Sequence, residues 1–546
     1  MHAGTRAAIK LLALSATLTG GAVYAQGEIE GQVQDSLRPP AELERPTPSS
    51  VVEPPRARPQ APPSDKTLEI RRFVFGGNSI FSSGQLENLV RDFTGRPITL
   101  LELYDAADRV AEHYVRSGFT LASVAVPAQR VSDGIVRLEV IEGRYGEIKV
   151  EGNDMYEADH IRRYLGSIPF GRHYKAGELD EGLRQLNKLP GLTAKAVLRP
   201  GTTYGTSDVI LKVTERRISG SFVVDNYGRE NIGEMRWAAS INVNNPSGSE
   251  DQLQFLGLRS EDGRLTYGYL AYSLPVNTTG TRAVLSYGQA DFQVPENNLS
   301  GENENARLQV NIPVIQTDVE TLRVMPAVSR TSSSVDLLGN PTALGTSITL
   351  VELGAFYNRT YDNLAVSQVN AEISSDFDRV RDVNDRNAQR FKLELDAQHL
   401  HPIDSRRNLL GFARLHGVYS PDALPDTERF SLGGPTSVRG YPASETRGDR
   451  GVFGTLGLRQ PFQWADARMQ GRIFIDSGRV WLVDQPAGAA DQDSLTSVGI
   501  GLDAALPGNM NLKFDWAFPR DGDADQRQVS DDRKHGRLFG SLTVGF

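Results

Sequence analysis

MNLKFDWAF, residues 510–518, alternates without a break. Leu512, Phe514, Trp516 and Phe518 share one face, and Asn511, Lys513 and Asp515 share the other. A period of two is that of a β-strand, whose successive side chains point to opposite faces. The pattern recurs upstream. Phe391, Leu393, Leu395 and Ala397 alternate with Lys392, Glu394, Asp396 and Gln398, and Val498, Ile500, Leu502 and Ala504 oppose Gly499, Gly501 and Asp503. Such runs span nine or ten residues, the length that crosses a bilayer when tilted. About sixteen of them fit between residue 217 and the C-terminus, at roughly twenty residues per strand and turn. A soluble sandwich or β-helix leaves the charged faces unexplained. A closed membrane barrel with an apolar exterior and a wet lumen accounts for both faces.

Ahead of this region the pattern changes. Residues 66–216 hold an internal repeat: Gly77-Asn78-Ser79-Ile80-Phe81 returns as Gly152-Asn153-Asp154-Met155-Tyr156. The closing segments correspond as well, Val136 to Glu142 with Val209 to Glu215. Helical periodicity over Leu101–Val115 and Leu179–Leu186 lies between. Each unit therefore reads strand–helix–helix–strand–strand, giving two small α+β domains over 66–143 and 144–216.

Residues 38–65 are proline-dense, which predicts an extended linker. Before it, within residues 26–37, Ile29, Val33 and Leu37 recur at four-residue spacing, a stripe for a short tethered helix. Residues 1–25 read as a signal peptide, with Arg6 and Lys10 before an apolar stretch and Ala22-Val23-Tyr24-Ala25 as the cleavage site. The chain has no cysteine, which excludes disulfides and thiolate metal sites. Its net charge of −9 argues against general nucleic-acid binding.

A long loop, about 421–450, separates two alternating runs and carries Val438-Arg439-Gly440-Tyr441. On the neighbouring run Arg468–Gly478, Met469, Gly471, Ile473 and Ile475 face lipid. Arg468, Gln470, Arg472, Phe474 and Asp476 then face the lumen. If the loop folds inward, Arg439 can pair with Asp476, Gly440 allows a tight turn, and Tyr441 and Phe474 can pack around the pair. The competing arrangement leaves Arg439 in solvent and pairs Asp476 with Arg472.

Val438-Arg439-Gly440-Tyr441, with Phe474, Asp476 and Gly478 downstream, resembles the paired signatures of the outer-membrane protein translocase and insertase superfamily. Two repeats of the kind called POTRA (polypeptide-transport-associated), a tethered N-terminal helix and a sixteen-stranded transmembrane β-barrel narrow the resemblance to TpsB transporters of two-partner secretion. That resemblance implies an outer-membrane pore, with its POTRA domains in the periplasm of a Gram-negative bacterium. The pore would secrete a cognate TpsA-type exoprotein, an adhesin or haemolysin, recognised unfolded by the POTRA domains. It also implies a plug at residues 26–37, outer-membrane lipids around the barrel, and assembly through the strand ending at Phe546.

No P-loop motif is present, and neither cofactor nor metal is expected. The eight histidines are scattered, with His399 and His401 the one close pair at a strand end, so an enzyme is not expected. An insertase of the same superfamily is the alternative, though insertases usually carry more repeats. A simple porin would have no use for the repeats.

Overall fold

The computed structural model describes residues 51–52, 67–131, 133–166, 168–337, 346–376, 390–404, 406, 408–483, 491–520 and 535–546. The expected signal peptide and plug stripe (Ile29, Val33, Leu37) lie outside the described residues, as does nearly all of the linker. Two compact units are present, Thr47–Arg217 and a barrel from Ile218 to Phe546.

The barrel closes through sixteen antiparallel strands, each paired with its sequence neighbour and the first, Ile218–Asp225, with the last, Arg537–Gly545. Strand lengths depart from the nine or ten residues read in sequence. Leu299–Gln316 and Glu320–Leu337 run to 18 residues each, with a register irregularity between Pro313 and Ile315. A polar face needs no membrane to end it, so these strands continue past the apolar band. The face assignment follows from solvation. Phe514 and Trp516 are exposed on the outside, while Asp515 is buried inside. Leu285, Leu308, Leu353, Leu456, Ile473 and Ile500 continue the exposed apolar exterior. Among the described residues no helix is long and apolar enough to cross a membrane.

The first repeat runs strand Arg72–Gly76, helices Ser83–Leu89 and Leu100–Arg116, and strands Ser123–Ala125 and Ile135–Ile141. The second runs strand Arg144–Glu151, helices Ala158–Arg163 and Ala176–Leu186, and strands Leu192–Pro200 and Thr206–Glu215. Each repeat has its own apolar core, around Phe73, Leu103, Val110 and Leu138 in one and Ile161, Leu183, Ala196 and Leu211 in the other.

The repeated pentapeptide has a physical origin. Gly77 and Gly152 take φ of +79° and +87°, and a Cβ there would lie 2.2 and 2.4 Å from the carbonyl oxygens of Val140 and Val213. Only glycine fits. The amides of Asn78 and Asn153 each donate to the carbonyl three residues on, at 2.9 Å. The glutamates that end the closing strands then collect the turn's free N–H groups. Glu142 accepts from Ser79 and Ile80, and Glu215 from Asp154, Met155 and Tyr156.

Glu142 has further partners. Tyr114 Oη donates to it at 3.0 Å and His173 Nε2, from the second repeat, lies 2.9 Å away. Ser79 Oγ donates to the same carboxylate at 2.5 Å. Serine, histidine and an acid thus meet, with Ser79 Oγ also 3.0 Å from His173 Nε2. The hydroxyl donates to the carboxylate, however, and the same imidazole nitrogen faces that carboxylate, unlike a nucleophilic triad in which the acid orients the far side of the ring. Burial pushes the Glu142 carboxyl up, yet the Ser79 hydroxyl and the two amides outweigh burial and hold it below the usual range.

Within the proline-dense linker, Val51–Val52 forms a parallel rung against Ala196 and Val197 of the second repeat. The linker is therefore not uniformly polyproline-like. The five residues between Pro48 and Pro54 hold no proline, so backbone donors are available there.

Candidate functional site

The segment between strands Leu410–Tyr419 and Arg450–Trp464 turns into the barrel and is held by charge and by packing. Its short hairpin, Phe430–Leu432 with Thr446–Gly448, frames the tip. Val438, Tyr441, Phe430 and Leu432 are buried together with wall residues Phe453, Val480 and Leu495. Gly440 has φ +97°, and its Cβ position would lie 3.2 Å from the Ala517 carbonyl oxygen. The tip thus needs glycine for both conformation and clearance. Tyr441 Oη donates to the Thr496 carbonyl at 3.1 Å. Leu432 fills the space over Gly478, where a Cβ would meet it at 2.9 Å.

Arg439 sits against the wall. Its Nε and Nη2 donate to the two oxygens of Asp476 at 2.8 and 2.9 Å, a bidentate pair, and its backbone N–H adds a third bond at 3.1 Å. Asp476 is fully buried, and Thr455 Oγ1 also donates to it at 2.9 Å. The guanidinium stacks over Phe474, 3.3 Å from the ring centroid. That ring lies where a Gly499 side chain would begin, 2.4 Å from its Cβ position. A glycine on the adjacent strand therefore makes the seat for the phenylalanine that seats the arginine.

Arg439 is shared with a second acid. Its Nη1 reaches Asp515 at 3.3 Å, and Arg472 reaches the same oxygen at 3.1 Å and Asp503 at 3.0 Å. Arg472 thus serves these two acids, Asp503 one strand over and Asp515 two, while Asp476 is taken by the loop. Asp515, Asp503, Thr455 and Gly499 were not singled out as site residues in the sequence, and Arg472 stood there only as the competing partner of Asp476. Their only cue was parity, since each lies on the polar face of its strand. Parity does not say which strands lie side by side at which height.

The remainder of the loop is tied to other parts of the wall. Lys392 pairs with Glu428 at 2.5 Å, and Arg414 pairs with Asp396 while donating to the Thr436 carbonyl at 3.0 Å. Arg229, in the connection after the first barrel strand, donates to the Ala443 carbonyl at 2.7 Å. Asp449 is fully buried and accepts the Leu424 and Val483 amides, so the Arg447-Gly448-Asp449 tripeptide is not displayed. Among the described residues no group of three or more histidine, aspartate or glutamate side chains is arranged to hold a metal.

A sixteen-stranded barrel with an apolar exterior, a loop clamped within it and α+β repeats ahead of it is the build of an outer-membrane polypeptide transporter. A family model described as haemolysin secretion/activation protein ShlB/FhaC/HecB matches residues 205–504, more than half of the chain, and the chain belongs to that family. A POTRA domain of the ShlB type matches residues 68–143. The hemolysin transporter protein ShlB of Serratia marcescens is 26% identical over 452 residues, covering 78% of each chain. The outer membrane transporter CdiB of Dickeya dadantii is 24% identical over 413 residues, covering 70% of this chain and 71% of that one. The solved structure of CdiB from Escherichia coli has the same fold, with a TM-score of 0.63 at 20% identity over 96% of this chain and 99% of that one. The protein is thus an outer-membrane β-barrel transporter of two-partner secretion, with POTRA domains on the periplasmic side and a secreted exoprotein as its cargo.

Proposed function

We propose that the Arg439 tip is the closing contact of a pore dedicated to one large exoprotein of the adhesin or haemolysin type. The observation that supports this reading is the buried guanidinium shared between Asp476 and Asp515, on two different wall strands. A loop tied across the lumen narrows the passage. A tie built on ion pairs at a water-filled interior opens when water and cargo backbone replace its partners. The cargo arrives unfolded and is received by the POTRA domains through strand addition, in which main-chain hydrogen bonds supply affinity. Residues 26–37, with the stripe Ile29, Val33 and Leu37, plug the resting pore. The exposed apolar exterior is solvated by outer-membrane lipid, and the strand ending at Phe546 is the segment handed to the barrel-assembly machinery.

The test is a gene-deletion strain, with culture supernatant and outer membrane compared by mass spectrometry. Loss of one large exoprotein from the supernatant with unchanged outer-membrane barrels is expected. A broad fall of barrels across the outer membrane would instead define an insertase and overturn the reading.

A further inference from the structure

The two repeats end their sheets differently. In each, the closing strand is central, flanked on one side by the parallel opening strand (Arg72–Gly76 or Arg144–Glu151) and on the other by an antiparallel strand: Ser123–Ala125 in the first and Leu192–Pro200 in the second. The first edge is three residues long and is followed by Val126 and Pro127. Beyond the proline, the Gln129 side chain replaces a strand rung, its amide donating to the Arg137 carbonyl and accepting the Arg137 N–H, both at 2.8 Å. That edge is short and closed by a side chain. The second edge is nine residues long, and such an edge is a template for another chain. It carries a single short guest, Val51–Val52, opposite Ala196 and Val197.

The guest is limited by its own sequence. Pro48 and Pro54 bracket it and lack the N–H groups a longer ladder needs. The edge also has an unmet chemical demand. Lys195 lies directly opposite Lys212 of the closing strand, both exposed on the same face. Lys212 has Glu151 opposite it on its other side, whereas the described cross-strand neighbour of Lys195 is Lys212. Like charges in that relation repel. The linker residue before Val51 is Ser50, which brings no charge.

We infer that the outer edge of Leu192–Pro200 is the strand-accepting site for an extended segment of the secreted polypeptide, and that Val51–Val52 is its resident competitor. The segment it fits is proline-free over more residues than the linker and places a carboxylate opposite Lys195. This rests on the reading of the POTRA domains as the receivers of cargo. Arrival of cargo then displaces the linker, so occupancy of the second repeat is transmitted to the chain N-terminal to it.

The first arm of the test needs no cargo. Hydrogen exchange is followed in the amides of Leu192–Pro200, using the full chain in lipid nanodiscs, for the wild type and for Val51→Pro/Val52→Pro. Exchange about tenfold or more faster in the variant is expected, because an unpaired edge opens freely. Unchanged exchange shows that no strand rests on this edge and overturns the inference. The second arm pairs Val52→Cys with Val197→Cys in a chain that otherwise has no cysteine. Neighbouring strands lie about 4.8 Å apart, within the Cα span of a disulfide. Secretion is read as the exoprotein that gene deletion removes from the supernatant. It should fall about tenfold when the crosslink forms and recover with dithiothreitol, while each single-cysteine variant secretes normally. Full secretion through a fully crosslinked chain overturns the competition. The parent reading fails by a different result: secretion that survives deletion of residues 66–216 shows that the repeats receive nothing, whatever the exchange data show.

Discussion

Arg439→Ala removes the two charge-assisted bonds that the guanidinium gives to Asp476 and the one it gives to Asp515. Asp476 keeps the Thr455 hydroxyl and the residue-439 amide, but it remains a buried carboxylate without its counter-charge. Breaking a buried pair by removing one partner costs about 3–5 kcal/mol. Arg472 still faces Asp515, and lumen water reaches parts of the cluster, so the lower end, about 3 kcal/mol, is the better figure. At about 1.4 kcal/mol per factor of ten, the docked-to-undocked ratio of the tip falls by roughly a hundredfold. Arg439→Lys, which keeps the charge and loses the bidentate fork, should fall between. The assay is hydrogen exchange of the Arg439–Tyr441 amides in the folded barrel, with barrel assembly checked by the mobility shift of unheated samples and secretion measured in parallel. Exchange faster by about two orders of magnitude, an assembled barrel and lost secretion are expected. Wild-type protection with normal secretion would refute the role of the tip.

Other perturbations read separate parts of the same design. Gly440→Val places a branched side chain at φ +97° and against the Ala517 carbonyl, so the tip should undock as fully as in Arg439→Ala, read by the same exchange measurement. Gly499→Leu intrudes on the Phe474 ring and should weaken docking while leaving all the charges in place; unaltered protection of the tip would show that the stacked ring contributes nothing. The Glu142 carboxyl is held below its usual range in the folded repeats, so its stabilisation is present above the unfolded-state pKa and is lost as pH falls through the folded one. Stability of a 66–216 fragment should therefore drop on the acid side, and Glu142→Gln should flatten that limb, as measured by urea midpoints between about pH 3 and 6. Deleting residues 26–37 should raise single-channel conductance in a planar bilayer, and an unchanged conductance would rule out a plug there.

Solvation made the barrel legible in the sequence. Lipid on one side and water on the other force Phe514 and Trp516 out and Lys513 and Asp515 in, so face, strand count and closure follow from parity. The lumen cluster was only half legible. Arg439 and Asp476 stood out through a loop signature and a strand-end acid, but Asp515, in the first stretch quoted, read only as one more residue of a polar face. What brings it to Arg439 is register: Asp515 lies opposite Gly501, which lies opposite Arg472. Register is set by turn lengths and shear around the whole barrel, which no local pattern encodes. In the repeats the reverse holds. Glu142 and Glu215 were visible as matching ends of matching strands. Their function needed coordinates, because it lies in which backbone amides they face. The Val51–Val52 rung was hidden because two residues are too few for periodicity to register.

Each POTRA repeat closes the backbone of its opening turn with a glutamate of its own. A unit that completes itself can be copied or deleted by a single genetic event without redesigning what flanks it. The number of repeats is then a quantity that selection can change in whole steps, lengthening or shortening the periplasmic arm. The bond from His173 to Glu142 adds the opposite constraint, since it couples the second copy to the first. Once that histidine is in place, the pair is inherited as one arm of set reach, and further change in length has to come from outside it.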